Sequence, residues 1–255
     1  MGGRGSERIL DLIEWLAERT APTGLSDAAQ ALEIPKSSAL LLLRTLVARG
    51  YVAREGSGYR LVTLPGEHAH GGVLGWGTLL RLAEPFLETA VREAEESGFI
   101  AVLTPERRVH YLTKKLPQRE IRYDRDISRD RIAHHVASGL VLLCDLPDDE
   151  LEAHLAACEE NEAERDAARE RILQARREGY AVNLIGRIEG AGGVAAPIIG
   201  GDGRIVAAVN ISGPKDRFSE HLDRSVSAVV EAARRASQEL ARRHATQKTA
   251  LGGTS

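Results

Sequence analysis

Residues able to do chemistry form no catalytic or metal-binding pattern in this sequence. His134 and His135 are adjacent, and neighbouring side chains point in different directions in a helix and in a strand alike, so the pair is not expected to share a ligand. No Ser or Asp pattern completes a triad with either. Cys144 and Cys158 lie in apolar or helical text with no Cys or His at zinc or disulfide spacing. Cys144 therefore reads as a small buried hydrophobe in a reducing cytosol. Gly190-Ala191-Gly192-Gly193 runs into a strand, whereas a phosphate-cradling glycine loop must open a helix. The expectation is no catalytic residue, no metal ligand, no cofactor and no enzyme.

A different chemistry is carried by Lys36, Ser37 and Ser38, an ammonium and two hydroxyls at a helix start, where they can address phosphates or base edges. The net charge of −3 looks unsuited to nucleic acid. From Pro35 to Arg60, however, the charges are Lys36, Arg44, Arg49, Arg54 and Arg60 against Glu55 alone, so positive charge is concentrated there. Three Phe, five Tyr and two Trp are too few for a single-strand stacking platform and leave duplex DNA open.

The surrounding pattern supplies elements for these side chains. Ile9, Leu10, Leu12, Ile13 and Leu16 recur at helical spacing from about Glu7 to Glu18, and Pro22 and Gly24 end that helix. Ser26 reads as the N-cap of a short helix to Leu32, with Asp27 at the positive end of its dipole. Pro35 suits the first turn of a third helix bearing Ala39, Leu42 or Leu43, Leu46 and Val47, and Gly50 stops it. Residues 51–61 follow as two β-prone runs around Gly56-Ser57-Gly58, a hairpin carrying Arg54, Tyr59 and Arg60. Helix, turn, helix and hairpin in this order make a winged helix-turn-helix, whose later helix enters the major groove. The expected DNA contacts are Ser26, Lys36, Ser37, Ser38, Arg44, Arg54, Tyr59 and Arg60.

Beyond a Gly- and His-containing connector from Pro65 to Gly77, Leu79 to Val91 reads as a helix joining two domains. Phe99–Leu103 and Val109–Leu112 read as strands, with Ile121–Tyr123 a candidate third. Helices follow from Ser138 to Cys144, after Pro147-Asp148-Asp149, and from Glu162 to Glu178. Val194–Ile199 and Arg204–Ile211 form a hairpin around Gly200-Gly201-Asp202-Gly203, and His221–His244 closes the chain as a helix. Hairpins interrupted by helices argue for an antiparallel α+β sheet. The 255 residues divide into a winged helix-turn-helix at 1–66, a linker at 67–82, a sheet domain at 83–247 and a disordered tail at 248–255. Met1 to Ser6 matches a loose myristoylation pattern and is read as a flexible leader. No membrane span or signal peptide is evident, so the expected location is cytoplasmic.

The text also resembles a known family. Leu25-Ser26-Asp27-Ala28-Ala29, Leu32-Glu33-Ile34-Pro35-Lys36-Ser37-Ser38, Leu42-Leu43-Arg44-Thr45-Leu46 and Arg49-Gly50-Tyr51-Val52 resemble the IclR regulators of bacteria. Leu41 stands where many members carry an arginine. Ala133 to Gly139, Gly179-Tyr180-Ala181, Gly192 to Pro197 and Val209 to Pro214 extend the resemblance along the second half. The resemblance implies a GAF-like effector domain. It also implies a pocket of Ala137 and Ser138 at a helix entry, Asn183, Ala191 and Gly193 on the middle strand, and Asn210 and Ser212 on the last. The implied ligand is a small effector, a carboxylate or aromatic acid. The other implied partners are double-stranded DNA with a pseudo-palindromic operator, and a second copy of the chain, as a homodimer or dimer of dimers. A protein-interaction or metal- and redox-sensing module is the alternative.

Overall fold

The computed structural model describes residues 3–19, 21–48, 51–61, 76–159, 161–185 and 190–252. The chain packs as two compact units, 1–82 with 242–255, and 83–241.

The first unit begins with helix α1 (Gly3–Ala17), four residues earlier than the apolar pattern required, so residues 3–6 are helical rather than a flexible leader. Strand β1 (Thr23–Gly24) precedes α2 (Leu25–Ala31) and α3 (Lys36–Ala48). A hairpin of β2 (Val52–Glu55) and β3 (Gly58–Leu61) completes a three-stranded sheet of order β1-β3-β2. The hairpin turn needs Gly56, whose φ of +59° is strained for any side chain. Leu12, Leu16, Leu43, Leu46, Val52, Tyr59 and Leu61 form its core. The expected stop at Gly50 and most of the Pro65–Gly77 connector lie outside the described residues.

The cap of α2 differs from expectation. Gly24, not Ser26, is the N-cap, and its N–H donates to Asp27 Oδ2 at 3.1 Å. Ser26 sits inside the first turn because Asp27, three residues past the cap, is the residue that can reach back. Pro35 likewise precedes α3, and its carbonyl accepts from Ala39 N–H at 3.1 Å.

Helix α4 (Trp76–Ala94) begins three residues before Leu79. The second unit is a six-stranded antiparallel sheet of order β6-β5-β4-β9-β8-β7. Its strands are β4 (Ser97–Leu103), β5 (Arg108–Lys115), β6 (Arg131–Ile132), β7 (Ala181–Asn183), β8 (Ala191–Ile199) and β9 (Ile205–Pro214). Ile121–Arg122–Tyr123 is not a strand. Ile121 is 75% exposed, and the edge position belongs to β6, which pairs Ile132 with Arg108. Helices α5 (Ala137–Leu142), α6 (Asp148–Cys158) and α7 (Glu162–Glu178) contribute Leu140, Leu155 and Ile172 to a core shared with Phe99 and Tyr111. Helix α7 starts on Asn161, whose side chain accepts from Ala163 N–H, and stops on Gly179 in the left-handed region. Short α8 (Lys215–Glu220) precedes α9 (Leu222–Gly252), which continues through most of the segment expected to be a tail.

Candidate functional site

In the first unit the solvent face of α3 presents Lys36, Ser37, Leu41, Arg44 and Thr45, while Ala39, Leu43 and Leu46 face the core. Lys36, Arg44 and Arg54 are exposed and form no ion pair among the described residues, so their charge is available to phosphates. Ser26 is exposed on α2 and Ser38 is half-buried. Two expected DNA contacts are drawn inward. Tyr59 is buried in the core, and Arg60 is half-buried with Nη2 donating to Glu55 Oε2 at 2.7 Å. In β3 alternate residues face the core, which takes Tyr59 and Leu61. Leu41 is 68% exposed, an apolar side chain in a polar face.

In the second unit, register places the polar residues in one row. Asn183 pairs with Gly193 and Gly193 with Ser212, with Asn210 two residues earlier on the same face of β9. Gly193 leaves room there: a Cβ would stand 2.8 Å from Ser212 Oγ, which would have to shift. Asn183 Nδ2 donates to His135 O and Asn210 Nδ2 to Ser212 Oγ, each at 2.8 Å. Six of the seven expected residues, Ala137, Asn183, Ala191, Gly193, Asn210 and Ser212, line one small cleft. Ser138 lies just behind it, fully buried, with Oγ 3.1 Å from Tyr111 Oη.

The cleft holds a group that the sequence did not single out. Arg125, 7% exposed, lines it with Tyr111 and Tyr123, the guanidinium carbon lying 4.7 Å and 5.7 Å from the two ring centroids. Its Nη1 donates to Tyr111 Oη, which leaves the phenol hydrogen for Ser138 Oγ. Burial pushes the Tyr111 phenol above its ordinary value, so it stays neutral. Arg125 Nε has no hydrogen-bond partner, and no carboxylate pairs with this guanidinium among the described residues. Such a group gains most from an incoming anion. With only six residues, α5 offers a small dipole by comparison. No periodic signal marks Arg125, which lies in the irregular segment between β5 and β6; Tyr123 two residues earlier is its only sequence companion.

His134 and His135 also depart from expectation. In the 3₁₀ turn Ala133–His135 both Nε2 atoms converge on Glu159 Oε1, at 3.0 Å and 2.6 Å. Tight 3₁₀ geometry followed by extended Val136 brings together side chains that a regular helix or strand would separate. Desolvation lowers the His134 pKa.

A winged helix with an exposed basic face, joined to a sheet domain whose polar cleft contains a buried guanidinium, defines a ligand-responsive DNA-binding regulator. The chain belongs to the IclR family. Residues 73–240 match the model of the "bacterial transcriptional regulator IclR C-terminal" and residues 6–56 that of the "IclR helix-turn-helix domain". Members of this family are DNA-binding transcription factors, not enzymes. The chain is 27% identical over 214 residues to the HTH-type transcriptional regulator XynR of Escherichia coli, covering 81% of this chain and 84% of the relative. A putative transcriptional regulator from Rhodococcus sp. RHA1 superposes with a TM-score of 0.59 at 30% identity, covering 94% and 98% of the two chains. An IclR homolog from Microbacterium hydrocarbonoxydans complexed with 4-hydroxybenzoate shares the fold, with a TM-score of 0.57 at 23% identity over 92% and 98%. No helix among the described residues is long and apolar enough to cross a membrane.

Proposed function

We propose that this regulator senses a small organic acid, a carboxylate or aromatic acid, in the cleft of a GAF-like domain, and works as a homodimer or dimer of dimers on a pseudo-palindromic operator in the cytoplasm. Arg125 carries the reading: a guanidinium almost out of water and lacking an acidic partner among the described residues suits a bidentate carboxylate. Asn183, Asn210 and Ser212 add polar groups at the cleft wall that fix orientation. The complex with 4-hydroxybenzoate of a protein of the same fold supports an acid of that size. On the DNA side, two copies of α3 address successive major grooves through Lys36, Ser37, Ser38 and Arg44, with Ser26 and Arg54 on the phosphates.

A calorimetric screen of small aliphatic and aromatic carboxylates tests the sensing half. The expected result is saturable binding that falls at least tenfold in Arg125→Gln, since a hydrogen bond to a charged group contributes about 1.5–3 kcal/mol. Equal binding by wild type and variant would refute the role of Arg125. For the DNA half, Lys36→Glu with Arg44→Glu should abolish salt-dependent duplex binding.

A further inference from the structure

The cluster of His134, His135 and Glu159 is not used by the cleft reading, although its members lie beside it. One imidazole nitrogen of each histidine and a carboxylate oxygen all lie within 4.8 Å of one another. His134 and Glu159 are 1% and 8% exposed, and the imidazole rings stand edge to face at 4.4 Å. The turn at Ala133–His135 supplies two ligands and the residue following α6 supplies the third, so the packing of two separate elements sets their spacing. Next to them the His154 ring lies 5.6 Å from that of His134, and its Nε2 is buried without a hydrogen-bond partner among the described residues. A buried polar atom left unsatisfied in a native protein is commonly explained by a bound water or ion.

We propose that His134, His135 and Glu159 bind one divalent transition-metal ion, with Zn²⁺ the occupant this donor set suits, and that water completes the coordination. Two imidazole nitrogens and one carboxylate oxygen match the open tetrahedral type of zinc site, whereas Mg²⁺ and Ca²⁺ prefer oxygen ligands alone. Bonds of about 2.0–2.2 Å require ligand atoms roughly 3.3–3.5 Å apart in a tetrahedron. The hydrogen-bonded distances of 2.6 Å and 3.0 Å need to open by less than about 1 Å to reach that. The site touches the effector cleft through His135, which lines the cleft and whose carbonyl accepts from Asn183. Cys158, with Sγ 3.9 Å from His154 Nδ1, is not a ligand in this assignment.

The test uses the full chain freed of metal by chelator and desalting, titrated with Co²⁺ by visible absorption and with ZnCl₂ by calorimetry. The expected result is one ion per chain, with tetrahedral d–d bands lacking a thiolate charge-transfer band, and no heat from MgCl₂. Binding should weaken at least tenfold in Glu159→Gln and in His135→Ala, and remain in Cys158→Ser. His135 is only half-buried, so its variant is the safeguard should Glu159→Gln fail to fold. Absence of saturable Co²⁺ and Zn²⁺ binding by wild type would overturn the assignment. So would undiminished binding by a folded His135→Ala chain, or binding that depends on Cys158.

Discussion

At the scale of single residues, the two cysteines show how burial decides reactivity. Cys144 Sγ donates to Leu140 O at 3.2 Å, and desolvation pushes its thiol up to about 11. The thiolate is the nucleophile, so iodoacetamide should label Cys144 far more slowly at pH 8 than a free thiol, as read by mass spectrometry. Rapid labelling of the folded chain would contradict this. Stability follows the same shift. Between about 9 and 11 the unfolded chain loses the thiol proton and the folded chain keeps it, so the Cys144 contribution to stability is present below pH 9 and lost as pH rises through that window. Residue type made Cys144 legible as a small hydrophobe, although the structure leaves it half-buried against the core rather than buried. Arg125 was not legible, because a charged residue in irregular text reads as surface, and only the tertiary structure buries it between two tyrosines. The convergence of His134 and His135 was missed because both regular periodicities separate neighbours.

At the scale of elements, the entry to α5 is the tightest join in the sensing unit. A Cβ on Gly139 would stand 1.9 Å from the carbonyl oxygen of Ala133, backbone that cannot give way cheaply. Gly139→Ala should therefore destabilise the chain by about 3 kcal/mol or more, beyond the usual range for overpacking, and move the 3₁₀ turn carrying His134 and His135. Chemical denaturation would measure it, and a loss under about 0.5 kcal/mol would show that the turn adapts. Elements with strong local signals were readable: α7 begins and ends where its cap and glycine place it, and the β8–β9 hairpin turns on Gly203 with φ of +83°. The two-residue strands β1 and β6 show no period, and long-range pairing alone creates them. Asp27 moved the α2 cap from Ser26 to Gly24 for a similar reason, since the reciprocal bond outweighs the preference for serine.

At the scale of the whole molecule, a net charge of −3 coexists with DNA binding because Lys36, Arg44 and Arg54, exposed and without an ion pair among the described residues, are gathered in one unit. The order of the two domains was legible from the helix, turn, helix and hairpin pattern followed by strands and helices, and the cleft was legible only through the family resemblance. Helix α4 runs unbroken past Leu82 and Ala83, where the two units divide; the proposed function requires that a ligand in the cleft and the operator be coupled in free energy. Such coupling amounts to about 1–3 kcal/mol, or roughly 5- to 150-fold in affinity. The most direct test is the affinity for an operator selected from random duplexes, measured with and without a carboxylate that binds the cleft, in wild type and in Arg125→Gln. The acid should change operator affinity of the wild type within that range and leave the variant unchanged. An acid that binds the cleft without changing operator affinity, or changes it equally in both proteins, would contradict the account.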